Sequence, residues 1–250
     1  MKIVYDKRFL IEYSDDPAAE KGRIESIYNE LKGNYEFIKP EPASEDDIAL
    51  VHSKQHIESI KGGRLYEIAR LAVGGAIKAS EIAYSGEPAF GLIRPPGHHA
   101  GADFYWGFCY FNNIAISIQK LRKNQKIKKA LIVDFDLHYG DGTINIFANQ
   151  TEVSYYHILR RTKTQQLYAF SKYLSKIKGY DIVAVSAGFD GHVEDWGKWL
   201  ETEDYKELGS LIKDFAEREC EGRRYAVLEG GYNQKVLGKN VKAFLEGLDK

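Results

Sequence analysis

The run Ala130-Leu-Ile-Val-Asp134-Phe-Asp136-Leu-His138-Tyr-Gly-Asp141-Gly-Thr143 constrains this chain more than any other stretch. Apolar residues in succession, followed by polar residues at every second position, predict a buried strand whose C-terminal end carries chemistry. Period-two spacing sends Asp134, Asp136 and His138 to one side of that strand end, so two carboxylates and an imidazole converge on one small volume. Like charges so close are unfavourable unless a positive charge stands among them. A divalent metal is the obvious candidate, and one His with carboxylates suits zinc or iron better than calcium or magnesium. The alternative is a polar strand end that caps a helix with Asp141-Gly142-Thr143.

Around this stretch, strand and helix patterns alternate. Lys2 to Tyr5 and Tyr35 to Ile38 read as strands, separated by a helix over Ala18 to Leu31 with Ile24, Ile27, Tyr28 and Leu31 on one face. Ser44-Glu-Asp-Asp47 has the form of a capping box. Leu65 to Ala83 is an apolar helix whose Gly74-Gly75 allows close packing on the sheet, and Ala89 to Ile93 is a further strand. That strand runs into Arg94-Pro-Pro-Gly-His98-His99, a rigid loop presenting adjacent histidines. Asn112 or Asn113 caps the next helix, Ile114 to Leu121. Beyond Asp134 come a helix at Thr143 to Ala148, a strand at Glu152 to Tyr156 and a helix at Gln166 to Lys176. The strand Asp181 to Ala187 ends in Gly188-Phe-Asp190, and the helix Asp204 to Glu219 follows. Tyr225 to Leu228 is the last strand, ending in Glu229-Gly-Gly-Tyr232, before a C-terminal helix.

This alternation predicts the α/β class, a three-layer α/β/α arrangement around a mostly parallel sheet, in one domain over residues 1–250. Ligands bind beyond the carboxyl ends of such strands. Four strands end in unusual polar sequence, at His98-His99, at Asp134 to Asp141, at Asp190 and at Tyr232, and folding alone does not require that coincidence. Net charge is −1, from 35 basic and 36 acidic residues, so no nucleic acid or anionic membrane is demanded as a partner. Cys109 and Cys220 stand far apart without a CxxC, which speaks against a disulfide framework and fits a reducing cytoplasm. Met1 to Tyr5 begins as a strand rather than a signal peptide, no apolar run approaches membrane-spanning length, and cytoplasmic residence is the expectation.

Five motifs occur in order: Arg94-Pro-Pro-Gly-His-His-Ala, Gly107-Phe-Cys-Tyr-Phe-Asn-Asn, Asp134-Phe-Asp-Leu-His-Tyr-Gly-Asp-Gly-Thr, Ser186-Ala-Gly-Phe-Asp-Gly-His and Leu228-Glu-Gly-Gly-Tyr-Asn. Together they resemble the zinc-dependent histone deacetylase family, which includes acetylpolyamine amidohydrolases and acetoin-utilisation proteins. The resemblance runs from Ser44 to the C-terminus and implies an arginase/deacetylase-like fold. It implies that Asp136, His138 and Asp190 bind Zn2+, or Fe2+ in the cell, and that Asp134 pairs with His98 and Asp141 with His99. Tyr232 would aim its hydroxyl at the substrate carbonyl, and Gly107 and Phe108 would border the acyl channel. The implied substrate is a small acetylated amine or acetyl-lysine, with His99 as the general base. Cys109, among aromatic residues, reads as a buried structural thiol.

The chain also departs from the family pattern. Tyr139 replaces a second His after the ligand His. Arg160 to Gln166 passes almost directly into a helix, so a strand and a second aromatic channel wall are expected to be missing and the site to be open. Tyr155 stands where a Ser often does beside the structural K+ site of many relatives, and Asp103, Glu194 and Asp195 lie in loops where they would favour a cationic molecule. Two rival readings remain: a catalytically silent relative that binds an acylated ligand or partner, and a bimetallic hydrolase using His192 as an extra ligand. Oligomeric state is not legible in the sequence.

Overall fold

The computed structural model describes residues 1–158 and 163–249. Strands β1 (Lys2–Val4), β2 (Glu36–Ile38), β3 (Ala89–Gly91), β4 (Ala130–Asp134), β5 (Val153–His157), β6 (Ile182–Ala187) and β7 (Arg224–Leu228) form one sheet in the order β2-β1-β3-β7-β6-β4-β5. Every neighbouring pair is parallel. Burial on both faces explains why β4, β6 and β7 are continuous rather than alternating apolar runs, with every residue of the three strands buried.

The helices are α1 (Arg23–Leu31), α2 (Glu45–Ile48), α3 (Lys54–Ile60), α4 (Gly63–Tyr84), α5 (Asn113–Lys123), α6 (Asp141–Phe147), α7 (Lys163–Leu174), α8 (Thr202–Glu219) and α9 (Gln234–Asp249). Helices α4 and α5 pack together on one face of the sheet, while α1, α9 and α8 form a connected layer on the other. The three-layer α/β/α expectation therefore holds. The capping box at Ser44 is present, with Asp47 as the reciprocal partner, and the Asn112 side chain caps α5 by accepting the Ala115 amide at 3.0 Å.

The Gly74-Gly75 pair serves close packing. A Cβ on Gly75 would meet Ile93 Cγ2 at 2.5 Å, just past the end of β3, and one on Gly74 would meet the Glu41 carbonyl oxygen at 1.8 Å. The helix expected from Ala18 starts later. Pro17–Ala19 forms a 3-10 turn, and Gly22 at φ 86° breaks the path before α1 begins at Arg23. Part of the shortened segment after His157, residues 159–162, lies outside the described residues.

Candidate active site

Loops leaving the carboxyl ends of four adjacent strands, β3, β7, β6 and β4, carry the polar motifs to one place. Strand β4 stops at Asp134, so Asp136 and His138 stand in a loop and not on a period-two strand face as expected. Side-chain to backbone hydrogen bonds curl that loop: Asp134 Oδ1 accepts the Asp136 amide at 3.0 Å, and Asp136 Oδ1 accepts the His138 amide at 2.9 Å. The convergence is thus real, but Asp134 faces a different partner from Asp136.

Ligating atoms of Asp136, His138 and Asp190 lie within 4.8 Å of one another. His138 Nδ1 is 3.1 Å from Asp136 Oδ1 and 3.0 Å from Asp190 Oδ2. The Leu137 amide donates to Asp190 Oδ1 at 3.0 Å and the Gly230 amide to Asp136 Oδ2 at 2.8 Å, which orients both carboxylates. Asp190 Oδ2 is buried without a hydrogen bond of good geometry. Burial and the Asp136 charge push the Asp190 carboxyl up to about 6. Hydrogen bonds to Asp136 and Asp190 push His138 up to about 10, so a proton on His138 holds the two acids together. A divalent cation would relieve the same repulsion more completely, since buried like charges are costly without a counter-charge. Three protein ligands of oxygen and nitrogen type, with the His138 side chain 40% exposed, fit a divalent ion that keeps an open coordination position.

Beside this cluster stand two His–Asp pairs. His98 Nδ1 donates to Asp134 Oδ2 at 3.1 Å, and His99 Nδ1 donates to Asp141 Oδ1 at 2.7 Å. Each bond fixes the ring and leaves Nε2 turned elsewhere. The two rings nevertheless differ in charge. Burial disfavours the cation at His98, but Asp136 and Asp134 outweigh it and raise the ring well above its ordinary value. Burial and the His98 charge push His99 down to about 4, against the hydrogen bond to Asp141. A neutral His99 therefore offers a free Nε2 lone pair at neutral pH beside a cationic His98. Glu229 holds the histidine loop in place, its Oε2 accepting the amides of Gly97 at 2.6 Å and His98 at 3.2 Å.

His98, His99, Trp106, Phe108, Trp196 and Tyr232 enclose a cavity of about 150 Å³ that also touches Gly107, Asp136 and His138. Gly107 has φ 58°, and a Cβ there would lie 2.6 Å from His99 Cδ2. Phe108, at φ 66°, accepts a strained backbone and places its ring edge-on to Tyr232 at 6.3 Å. Burial, and then the Asp136 charge, raise the Tyr232 hydroxyl well above its ordinary value, so it stays protonated.

Several expectations are corrected by this arrangement. The second aromatic wall is present: Trp196, from the loop after β6, stacks on Tyr232 at 4.0 Å and meets His138 edge-on at 6.0 Å. Asp195 is no rim charge; it is 6% exposed and accepts the amides of Tyr232 at 2.8 Å and Asn233 at 2.7 Å. Asp103 and Glu194 are exposed. His192 is turned from the cluster, with Nδ1 accepting the Glu194 amide at 3.1 Å, so it adds no ligand. Cys109 is a buried thiol whose pKa burial raises, as expected.

The sequence reading missed Trp106, Trp196, Glu229 and Arg23. Trp106 Nε1 donates to Asp141 Oδ2 at 2.9 Å while its ring lies 3.9 Å from that of His99, clamping the pair from outside. Buried Arg23 donates to the Gly231 carbonyl at 2.8 Å and thereby fixes the Tyr232 loop. Two tryptophans flanking the motifs in loops, where apolar burial cannot explain them, were the available signal.

Comparison with known proteins identifies the family and the fold. The Histone deacetylase domain model matches residues 18–180 and 160–248, two stretches that overlap around the shortened segment. A "Probable deacetylase" of Methanothermobacter thermautotrophicus is 31% identical, covering 100% of this chain and 91% of the relative. A "Histone deacetylase-like amidohydrolase" of Pseudomonas aeruginosa is 26% identical over 87% of this chain and 72% of its own. The solved HDA15 HD domain superposes with a TM-score of 0.86 at 23% identity, covering 99% of this chain and 88% of that one, and shares its fold. No helix among the described residues is long and apolar enough to cross a membrane. With its family model matched from Ala18 to Leu248 and the motifs gathered at one set of strand ends, the chain belongs to the histone deacetylase family.

Proposed function

We propose that this protein is a zinc-dependent amidohydrolase that removes an acetyl or similarly short acyl group from an amine, such as acetyl-lysine or an acetylpolyamine. The observation that carries the reading is the enclosure of one cavity of about 150 Å³ by the Asp136–His138 ligand pair, both histidines of the His–Asp pairs, and Tyr232. Asp136, His138 and Asp190 would hold Zn2+, with Fe2+ as the alternative in the cell. When bound, such an ion polarises the amide carbonyl and lowers the pKa of water to about 7.

The chain's own residues supply the remaining chemistry. Neutral His99, held by Asp141, takes a proton from the attacking water at Nε2 and returns it to the amine nitrogen as the C–N bond breaks. Tyr232 keeps its proton and donates a hydrogen bond to the developing oxyanion. His98, held by Asp134, lines the same cavity with its ring fixed beside the reacting atoms. Trp106 and Trp196 shield the reacting atoms from bulk water.

The surroundings support a substrate class. A groove of about 700 Å³ shares Trp196 and Tyr232 with the cavity and carries Glu20 and Glu194 as well as Lys198. Carboxylates beside an aromatic wall favour a cationic tail. Acetylated polyamines and short acetyl-lysine peptides are therefore expected to turn over with lower KM than an uncharged acetylated amine, and the advantage is expected to shrink at high salt. Steady-state kinetics on such a panel, with metal-loaded protein, tests this. No turnover on any member would favour the silent-relative reading, and equal KM for charged and neutral substrates would remove the groove from the argument.

Metal loading has its own signature. Because His138 is held at about 10, it is protonated at neutral pH and must lose that proton to ligate. Affinity for Zn2+ is expected to rise as pH rises from 6 to 9, with about one proton released per ion. Calorimetry in two buffers of different ionisation heat measures that proton; identical heats in both would show that His138 carries no proton before the metal binds.

A further inference from the structure

We propose that Tyr155 is a positioning residue that couples the two His–Asp pairs through a single hydroxyl. The Gly140 amide donates to Tyr155 Oη at 2.9 Å, and Tyr155 Oη donates to Asp134 Oδ2 at 2.9 Å. That same Oδ2 accepts His98 Nδ1 at 3.1 Å, while Gly140 immediately precedes Asp141, whose Oδ1 holds His99 at 2.7 Å. One hydroxyl thus reaches His98 through Asp134 and His99 through the backbone that carries Asp141. No other side chain is hydrogen-bonded to both segments among the described residues.

The surroundings admit little freedom. A Cβ on Gly140 would lie 2.6 Å from both Tyr155 Oη and Asp134 Oδ2, so the glycine is what allows the three groups to meet. The Tyr155 ring lies parallel to His157, with centroids 6.5 Å apart, and Tyr139 closes it edge-on at 5.9 Å. Burial, then Asp134, raise the hydroxyl's pKa, so it remains a donor. Asp134 has three donors, the Asp136 amide on Oδ1 and His98 and Tyr155 on Oδ2. Without Tyr155 a buried carboxylate is one donor short and free to swing off His98, and Gly140, at the start of α6, loses the partner of its amide. Tyr155 does not line the cavity, so its loss should misalign the histidines and leave substrate contacts intact.

The inference rests on the proposed hydrolysis for its kinetic half only, and two readouts keep the failures apart. Tyr155→Phe keeps the ring and removes the hydroxyl; Gly140→Ala keeps Tyr155 and wedges the contact open. Both are expected to lower kcat about tenfold or more with KM within about twofold and metal content unchanged. Hydrogen exchange at the Gly140 amide is expected to accelerate at least about tenfold in Tyr155→Phe. A wild-type protein that turns over beside a Tyr155→Phe variant with unaltered kcat overturns the proposal, as does a loss explained by raised KM or lost metal. If the wild type hydrolyses nothing, the hydrolytic reading fails, and Gly140 exchange alone then decides the coupling: faster exchange supports it and unchanged exchange overturns it.

Discussion

Alanine at Asp190 or Asp136 is expected to take the purified protein from one divalent ion per chain to less than about a tenth, because two remaining ligands cannot hold the ion. The loss should far exceed the roughly 10–100-fold drop in affinity that removal of a supporting hydrogen bond causes, as in Asp134→Asn. Stability separates lost ligation from misfolding. In the metal-free protein, Asp190 Oδ2 is buried without a good hydrogen bond, and the Asp136 charge opposes its ionisation. Asp190→Asn removes that repulsion together with the 3.0 Å ion pair to His138, two opposing effects, so the metal-free variant should melt close to metal-free wild type. Zinc at a thousandfold excess over Kd would stabilise the wild type by about 4 kcal/mol and leave the variant unmoved. Elemental analysis and thermal melts with and without Zn2+ check both halves, and full metal content in either variant would falsify the ligand assignment.

Tyr232→Phe is expected to lower kcat by about a hundredfold or more with KM nearly unchanged, since a single oxyanion donor contributes about 3 kcal/mol to the transition state. The variant is unusually clean. The ring stacks on Trp196 at 4.0 Å and its backbone amide is anchored on Asp195 at 2.8 Å, contacts that phenylalanine retains. His99→Ala should cost at least as much, because it removes the neutral base while leaving Asp141 bound to Trp106 Nε1. Steady-state and single-turnover kinetics on one working substrate read both variants. A near-normal kcat in Tyr232→Phe would leave oxyanion stabilisation to other groups and remove this residue from the mechanism.

Much of the architecture is legible in the sequence, because local patterns suffice for it. Buried parallel strands announce themselves as short apolar runs, and the polar ends of β3, β4, β6 and β7 point to the site because parallel strands share one carboxyl edge. The errors lay where backbone paths leave regular structure. Period two holds only while a strand lasts, and β4 ends at Asp134, so the common side assigned to Asp134, Asp136 and His138 was the right neighbourhood for the wrong geometric reason. Asp195 looked like a loop charge because sequence does not reveal which amides will converge on a carboxylate.

The sequence by itself determined the layered α/β fold and the rigid Pro95-Pro96-Gly97 loop that presents two histidines, and its motif order pointed to Asp136, His138 and Asp190 as candidate metal ligands. Those properties are local: they depend on side-chain type and on near neighbours in the chain. Tertiary structure alone decided how close Asp190 comes to Asp136 and His138, that burial and neighbouring charges shift the His98 and His99 rings in opposite directions, and that Trp196 supplies an aromatic wall beside Tyr232. It also decided that Tyr155 stands between the two His–Asp pairs. Each of these depends on distances of a few ångströms between residues on different strands and on the burial that surrounds them. Coulomb and hydrogen-bond energies follow that spatial separation and the local dielectric rather than position along the chain.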